Sequence, residues 1–330
     1  MKGVIKLIVL VLFLVGCSKK EKAKVGFLLP ERGRFVTESQ YFKERIIELG
    51  YEPVIVQTTF DPIDQLNKGH ELIDNEDLDL LMIAAINGNT IAPLVRKAKN
   101  KDIQVIAYNM LINNVAYDAF LSGDNQHLSN LFFQSAIKDH PEGNYVILGG
   151  DAFDRNGDEL KKGLERLLKP YVDEQKINIV YKSAIEGWDR NIAMHEFEKV
   201  VNAYGDELDV IFTCNDAMAD GIIEVLDKYD FDEDVFISGQ DAELNGVRNV
   251  WAGKQSMTIY HPPKSYAYGA AELVNALLKQ KQINKITSEV VYNGKIEVPT
   301  VMVKAKLITK ENIQEELIDT GVYTMEELVK

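Results

Sequence analysis

Runs of strand length that are apolar at nearly every position recur along this chain, and few folds can hide such segments. LLMIAA at 80–85 and VIFTC at 210–214 lack polar alternation. Each must therefore be buried on both faces, the condition of a strand inside a parallel sheet that helices cover on both sides. Comparable runs begin near Val25, Pro53 and Ile103, and a second series begins near Asn144, Ile177, Leu208 and Val235. The stretches between are amphipathic with helical period, and a spacing of about 24 to 28 residues is that of repeated βα units. Two series imply an α/β protein of two doubly wound parallel-sheet lobes joined by a hinge. Helix-end signals agree: Thr37 and Asp61 read as N-caps, Gly50 as a C-terminal stop, and Asn215 with Asp216 opens a helix running toward Tyr229. No low-complexity linker separates the series, so ordered hinge strands are expected, with the chain after Thr258 crossing between the lobes again.

The first residues obey a different pattern. Lys2 and Lys6 precede an apolar run from Leu7 to Val15, followed by Gly16, Cys17 and an abruptly polar stretch from Ser18. A membrane-spanning helix needs about 20 apolar residues, and this run has roughly half of them, so residues 1–16 read as a cleaved signal peptide. The sequence Leu14, Val15, Gly16, Cys17 resembles the bacterial lipoprotein signal, which implies lipidation of Cys17, a tether over 17–23 and a protein held on the outer face of a cell membrane. The other cysteine, Cys214, then has no partner, and no internal disulfide is expected.

Charge removes one class of function. The chain has 51 acidic and 37 basic residues, a net −14, and such a surface repels a phosphate backbone, so nucleic acid is not an expected partner. A sugar-responsive repressor of similar build would also need a DNA-reading module ahead of the first strand, which here begins at Val25. Asp154, Asn156, Asp158 and Glu165 imitate the spacing of a calcium loop, but Glu159 occupies the position that requires glycine for the sharp turn. The five histidines form no pair at ligand spacing, and neither GxxxxGK nor GxGxxG occurs. No metal and no cofactor are expected.

Ligands of open α/β sheets bind beyond the carboxyl ends of the strands. The segments there are Glu31–Phe35, Ile86–Asn89, Tyr108–Asn113, Asp151–Asn156, Glu186–Trp188, Asn215–Asp216 and Gln240–Glu243. They are rich in amides, carboxylates, arginine and aromatic rings. Neutral polyols need that mixture, because planar amides and carboxylates bond adjacent hydroxyls while a ring covers the apolar face of a sugar. Asp216 and Asp241 could also form the carboxylate pair of a glycosidase. No pocket histidine has an evident carboxylate orienter, however, and the recurring residues bind hydroxyls rather than shuttle protons. A binding protein rather than an enzyme is expected. Asp216 reads equally as a helix cap or a ligand contact.

Several motifs in one order carry a resemblance. KVGFLL at Lys24, INGN at Ile86, SGDN at Ser122, NYVILGG at 144–150, LLKPYVDEQKINIV at 167–180, EGW at Glu186, CNDAMADG at 214–221, SGQDAE at 238–243 and QSMTIYHP at Gln255 resemble the D-xylose-binding branch of the two-lobed periplasmic sugar-binding proteins related to ribose-binding protein. The resemblance implies closure of two lobes on one pentose without chemistry. It places residues 24–123 and 258–294 in one lobe and residues 124–257 and 295–330 in the other. It implies Arg34 as a hydroxyl clamp, Phe35 as a stacking ring, and Asn156, Trp188, Asn215 and Asp241 as contacts from the second lobe, with Asn87 also near the pocket.

Two sites depart from the family pattern. Tyr108, Asn109 and Met110 stand where the family has Tyr-Asp-Arg, and His261 stands before Pro262 where it has a lysine. Asn109 and His261 are thus candidate ligand contacts of altered chemistry. A pocket histidine would make affinity vary with pH near 6.5. The resemblance implies delivery of the monosaccharide to an ABC permease in the membrane, and the departures leave open a sensor histidine kinase as the partner instead.

Overall fold

The computed structural model describes residues 22–205, 207–231 and 235–330. The signal peptide, Cys17 and most of the expected tether lie outside the described residues. In chain order the strands are β1 (Lys24–Pro30), β2 (Glu52–Thr58), β3 (Leu80–Ile83), β4 (Gln104–Tyr108), β5 (Ala119–Gly123), β6 (Gly143–Gly149), β7 (Ile177–Ala184), β8 (Val210–Thr213), β9 (Phe236–Ile237), β10 (Thr258–Tyr260), β11 (Glu289–Tyr292), β12 (Glu297–Val303) and β13 (Lys306–Ile308). The helices are α1 (Arg34–Glu48), α2 (Pro62–Asn75), α3 (Ala92–Asn100), α4 (Asn125–Asp139), α5 (Arg155–Asp173), α6 (Arg190–Tyr204), α7 (Asp216–Lys228), α8 (Leu244–Ala252), α9 (Pro263–Leu278) and α10 (Met325–Val329).

Two sheets result. One has the order β11-β12-β5-β4-β3-β1-β2 and the other β7-β6-β8-β9, while β10 and β13 form a separate antiparallel pair. Apart from the antiparallel edge strand β11, the pairings within both main sheets are parallel. The apolar strands do what their composition requires. In β1, Val25, Phe27 and Leu29 enter one core cluster while Leu28 enters the cluster on the opposite face. In β8, Val210 and Phe212 face one cluster and Ile211 the other. Burying each such side chain contributes about 1.5 to 3 kcal/mol, which makes these strands the framework that positions the loops beyond their ends.

The chain passes from the first sheet to the second between β5 and α4. It returns through β10 to α9, which packs on α1 in the core of the first sheet. It leaves again after β12. Two boundaries expected from sequence therefore move. Residues 258–260 belong with the second sheet, since Met257 and Ile259 lie in its core together with Ala305. Residues 297–303 belong with the first, because β12 pairs in parallel with β5, Thr300 opposite Phe120. The tail packs Ile308, Ile313, Leu317 and Leu328 against Val247 and Val250 of α8. Among the described residues no helix is long and apolar enough to cross a membrane.

One cap is also corrected. Asp61 caps α2 as expected, accepting from the N–H groups of Ile63 and Asp64. Thr37 caps nothing: α1 begins a turn earlier, at Arg34, after Gly33 with φ of 51°. A positive φ there needs glycine, and it aims Arg34 from the first helical position.

Candidate functional site

The carboxyl ends of both main sheets face a single cleft with a volume of about 840 Å³. Arg34, Phe35, Asn109, Asn156, Trp188, Asn215, Asp241 and His261 all line it. Asn87 does not. Its Oδ1 accepts from the backbone N–H groups of Asn89 and Thr90, so this amide is spent on closing the turn ahead of α3. Asn125 and Gln240 were not singled out from sequence, yet both line the cleft. Each lies at a strand end, Asn125 just past β5 in the SGDN motif, which is the signal that could have found them.

Arg34 is the centre of the first-lobe half. Its side chain is 13% exposed, and a guanidinium so buried needs partners on every side. It pairs with Glu38 one turn along α1, and its Nη2 donates to Asn109 Oδ1 at 2.6 Å. The ring of Tyr266 supplies a π face 4.5 Å from its Cζ. Glu38 is itself completely buried and accepts from the Tyr108 hydroxyl at 2.6 Å. Burial raises the Glu38 carboxyl and the Arg34 charge opposes the rise. Glu38 shares the inward stripe of α1 with Phe42 and Ile46. A carboxylate on such an apolar stripe, four residues from an arginine, is the sequence sign of a buried pair.

Asn109 explains part of its departure from the family pattern. Its amide carries no charge, and its oxygen is already engaged by Arg34, so it orients the clamp instead of pairing ionically with its neighbour. Met110 beside it also lines the cleft and packs partly against the first-lobe core.

Asp241 approaches from the other lobe, its Oδ1 3.9 Å from Arg34 Nε. Burial raises its carboxyl, with Arg34 the main opposing influence. The backbone is strained here, Asp241 having φ of 91° and Ala242 of 47°. Hydrogen bonds hold the strain: Asp241 N–H donates to the Ile259 carbonyl at 2.8 Å, and Tyr323 Oη donates to the Ala242 carbonyl at 2.9 Å. Asn109 and Trp188 also have positive φ, 63° and 56°. Three of the candidate contacts thus occupy a backbone region that costs of order 1 to 3 kcal/mol each, a pattern that collects at ligand sites.

The remaining second-lobe groups are tied together. Asn156 accepts from Asn125 Nδ2 at 3.0 Å and donates across the cleft to the Asn109 carbonyl at 3.2 Å. Trp188 lies so close over Gly150 that a Cβ on that glycine would stand 2.3 Å from the indole Cη2. Asn215 caps α7, accepting from Met218 N–H at 2.8 Å. Asp216 is neither cap nor ligand contact. It is 1% exposed and accepts from Gln255, Thr258 and the Glu243 N–H, which fastens the Asp241 loop to α7. It is absent from the cleft lining, so Asp216 and Asp241 do not present a hydrolytic pair. Asp154 caps α5 at the cleft wall, and burial pushes its carboxyl up to about 6.

His261 is 4% exposed, with Nδ1 bonded to the Tyr266 hydroxyl at 2.9 Å. Its Nε2 has no hydrogen-bond partner among the described residues and stands 4.0 Å from Asp241 Oδ1. Burial and the Arg34 charge hold its imidazole well below 6.5. The expected titration near 6.5 is thereby corrected: the ring is neutral at ordinary pH. Buried Gln240 Oε1 is likewise without a partner. Cationic, anionic, amide and aromatic groups thus converge from both lobes, several with unspent bonding capacity. Among the described residues no cluster of potential metal ligands occurs.

A model of the periplasmic binding protein domain matches residues 25–282. The chain belongs to this family of periplasmic binding proteins. It is 30% identical over 310 residues to the D-xylose-binding periplasmic protein of Escherichia coli K12, 93% of each chain being covered. It is 26% identical to the multiple sugar-binding periplasmic receptor of Rhizobium radiobacter, with coverage of 96% of this chain and 95% of the receptor. Among solved structures, an ABC transporter solute-binding protein from Clostridium phytofermentans with bound β-D-glucose superposes with a TM-score of 0.84 at 28% identity, covering 92% of this chain and 99% of that one. Periplasmic binding proteins work outside the cytoplasm and hold a solute without transforming it. This chain is accordingly a binding protein and not an enzyme.

Proposed function

We propose that the protein is an extracytoplasmic lipoprotein, anchored through Cys17, that binds a neutral monosaccharide between its lobes and delivers it to an ABC importer. D-xylose is the first candidate ligand. The observation that carries this reading is the meeting of Arg34 and Asn109 from one lobe with Asp241 and Asn156 from the other in one cleft. Sugar hydroxyls are both donors and acceptors, so a guanidinium and a carboxylate a few ångströms apart can bond neighbouring hydroxyls together. Phe35 and Trp188 supply apolar surface, and His261 Nε2 with Gln240 Oε1 supply further groups in need of partners. The names of the relatives, a xylose binder and a multiple-sugar receptor, support the ligand class.

Titration calorimetry against aldopentoses and aldohexoses tests it. Asp241→Ala should weaken binding by about 1.5 to 3 kcal/mol by leaving hydroxyls without a charged acceptor, whereas a change at exposed Asp173 should do nothing. Absence of heat with every sugar would remove the reading. The partner is tested in a deletion strain: lost uptake with intact sugar-dependent induction fits an importer. Normal uptake with lost induction would assign the protein to a sensor histidine kinase.

A further inference from the structure

The cleft is larger than one sugar ring requires. Its volume of about 840 Å³ lies in the upper part of the roughly 300 to 1,000 Å³ range of small-molecule sites, whereas a pentose has five carbons and five oxygens to place. The lining runs past the Arg34–Asp241 group to Thr37 and Tyr41 on α1, Tyr260 at the end of β10, and Glu243 and Tyr323. Burial raises the Tyr260 hydroxyl, and Tyr41 lies close enough to add to the rise. Tyr323 is anchored through its hydroxyl to the Ala242 carbonyl, so this wall is joined directly to the strained loop that presents Asp241.

Three tyrosines with a threonine and a carboxylate repeat, on a second wall, the chemistry that suits a neutral sugar at the first: aromatic surface for a ring face, hydroxyls and a charge for its rim. The wall is also divided between lobes. Tyr41 stands on a helix of the first sheet, and Tyr323 on the tail that packs with the second. Whatever lies there is gripped by the same closure.

Building on the reading of the cleft as a neutral-sugar site, we propose that it accepts a linked pair of pyranose rings, one at Arg34, Asn109 and Asp241 and the second against Tyr41, Tyr260 and Tyr323. The preferred ligand is then a short oligosaccharide, and a monosaccharide fills only part of the site.

Calorimetry with D-xylose, xylobiose, D-glucose and cellobiose on the mature chain tests this, alongside Tyr41→Ala and Thr37→Trp. Thr37 is exposed on α1, so a bulky side chain there can be carried without refolding the core and would occupy the second position. One of the two disaccharides should bind at least tenfold more tightly than its monosaccharide. Each variant should lower that disaccharide's affinity about tenfold or more while leaving the monosaccharide unchanged. Monosaccharide binding with neither disaccharide binding more tightly, or an equal loss for both sizes in the variants, overturns the second ring position and leaves the monosaccharide site standing. No heat with any of the four sugars overturns both.

Discussion

Asn156 on α5 donates from Nδ2 to the backbone carbonyl of Asn109, 3.2 Å away, and the two residues belong to different lobes. That carbonyl also accepts from Ser122 Oγ at 3.1 Å, so it is fixed from its own side before the other lobe arrives. The bond exists only while the lobes are close, which makes it part of the closed state's advantage over the open one.

Asn156→Ala removes a bond of about 0.5 to 1.5 kcal/mol. Sugar affinity should therefore fall about 2- to 12-fold, mostly through faster release. Stopped-flow dissociation measures this directly. A release rate equal to that of the parent would mean that the bond does not contribute to closure.

The Arg34–Glu38 pair yields a prediction about stability. Removing one partner of a buried ion pair leaves the other charge uncompensated, at a cost of about 3 to 5 kcal/mol. Glu38→Ala should lower the urea midpoint accordingly and impair sugar binding through loss of the Arg34 orientation. Adding Arg34→Ala should cost little more, because the stranded charge is gone. Additive costs in the double variant would show that the two side chains act separately.

What sequence reveals here follows from burial on two faces. Strands such as β3 and β8 are legible because no other environment tolerates their composition. Edge strand β11 is half exposed, with Val290 and Tyr292 in solvent, so it lacks that signature, and with it the extent of β12 in the first sheet went unseen. In the cleft, the segments that hold Arg34, Asn156 and Asp241 were legible from their places beyond strand ends, and the family resemblance singled out those residues within them. Asn87 shares such a place, yet local turn geometry claims its side chain. The role of Glu38 depends on how α1 rolls against the sheet, which buries its carboxylate beside Arg34. The neutral state of His261 depends on a guanidinium distant in sequence, and no local pattern contains that information.

Among the buried titratable groups, His261 and Asp154 act on stability in opposite senses. The folded chain holds His261 neutral well below 6.5, while the unfolded chain takes up that proton near 6.5, so this residue lowers stability as pH falls below that value and is silent above it. Asp154 is raised from 3.8 to about 6. The folded state therefore binds its proton first, and stability from this group rises as pH falls through 6 toward 4. Sugar affinity should be flat above pH 7 and change near 6 through Asp154 in the cleft wall. Asp154→Asn, which keeps an acceptor at the α5 N-cap, should flatten the profile, and His261→Gln should leave its shape unchanged. A profile flattened by the histidine change instead would reverse the assignment.

The seat of Trp188 can be tested without touching the ring itself. A methyl group at position 150 would stand 2.3 Å from both the indole Cη2 and Cζ2, far inside van der Waals contact, so Gly150→Ala must move either the indole or the loop beneath it. Overpacking of this kind costs about 1 to 3 kcal/mol, which the two-sided cores of the second lobe can bear without unfolding. Because Trp188 has a positive φ and its carbonyl accepts from Asn215 Nδ2 at 3.4 Å, the backbone resists, and the ring is expected to swing into the cleft. The variant should show a shifted tryptophan emission without sugar, a weaker response on adding sugar and reduced affinity. An unchanged emission spectrum with full affinity would place the indole away from the ligand and return Trp188 to a packing role.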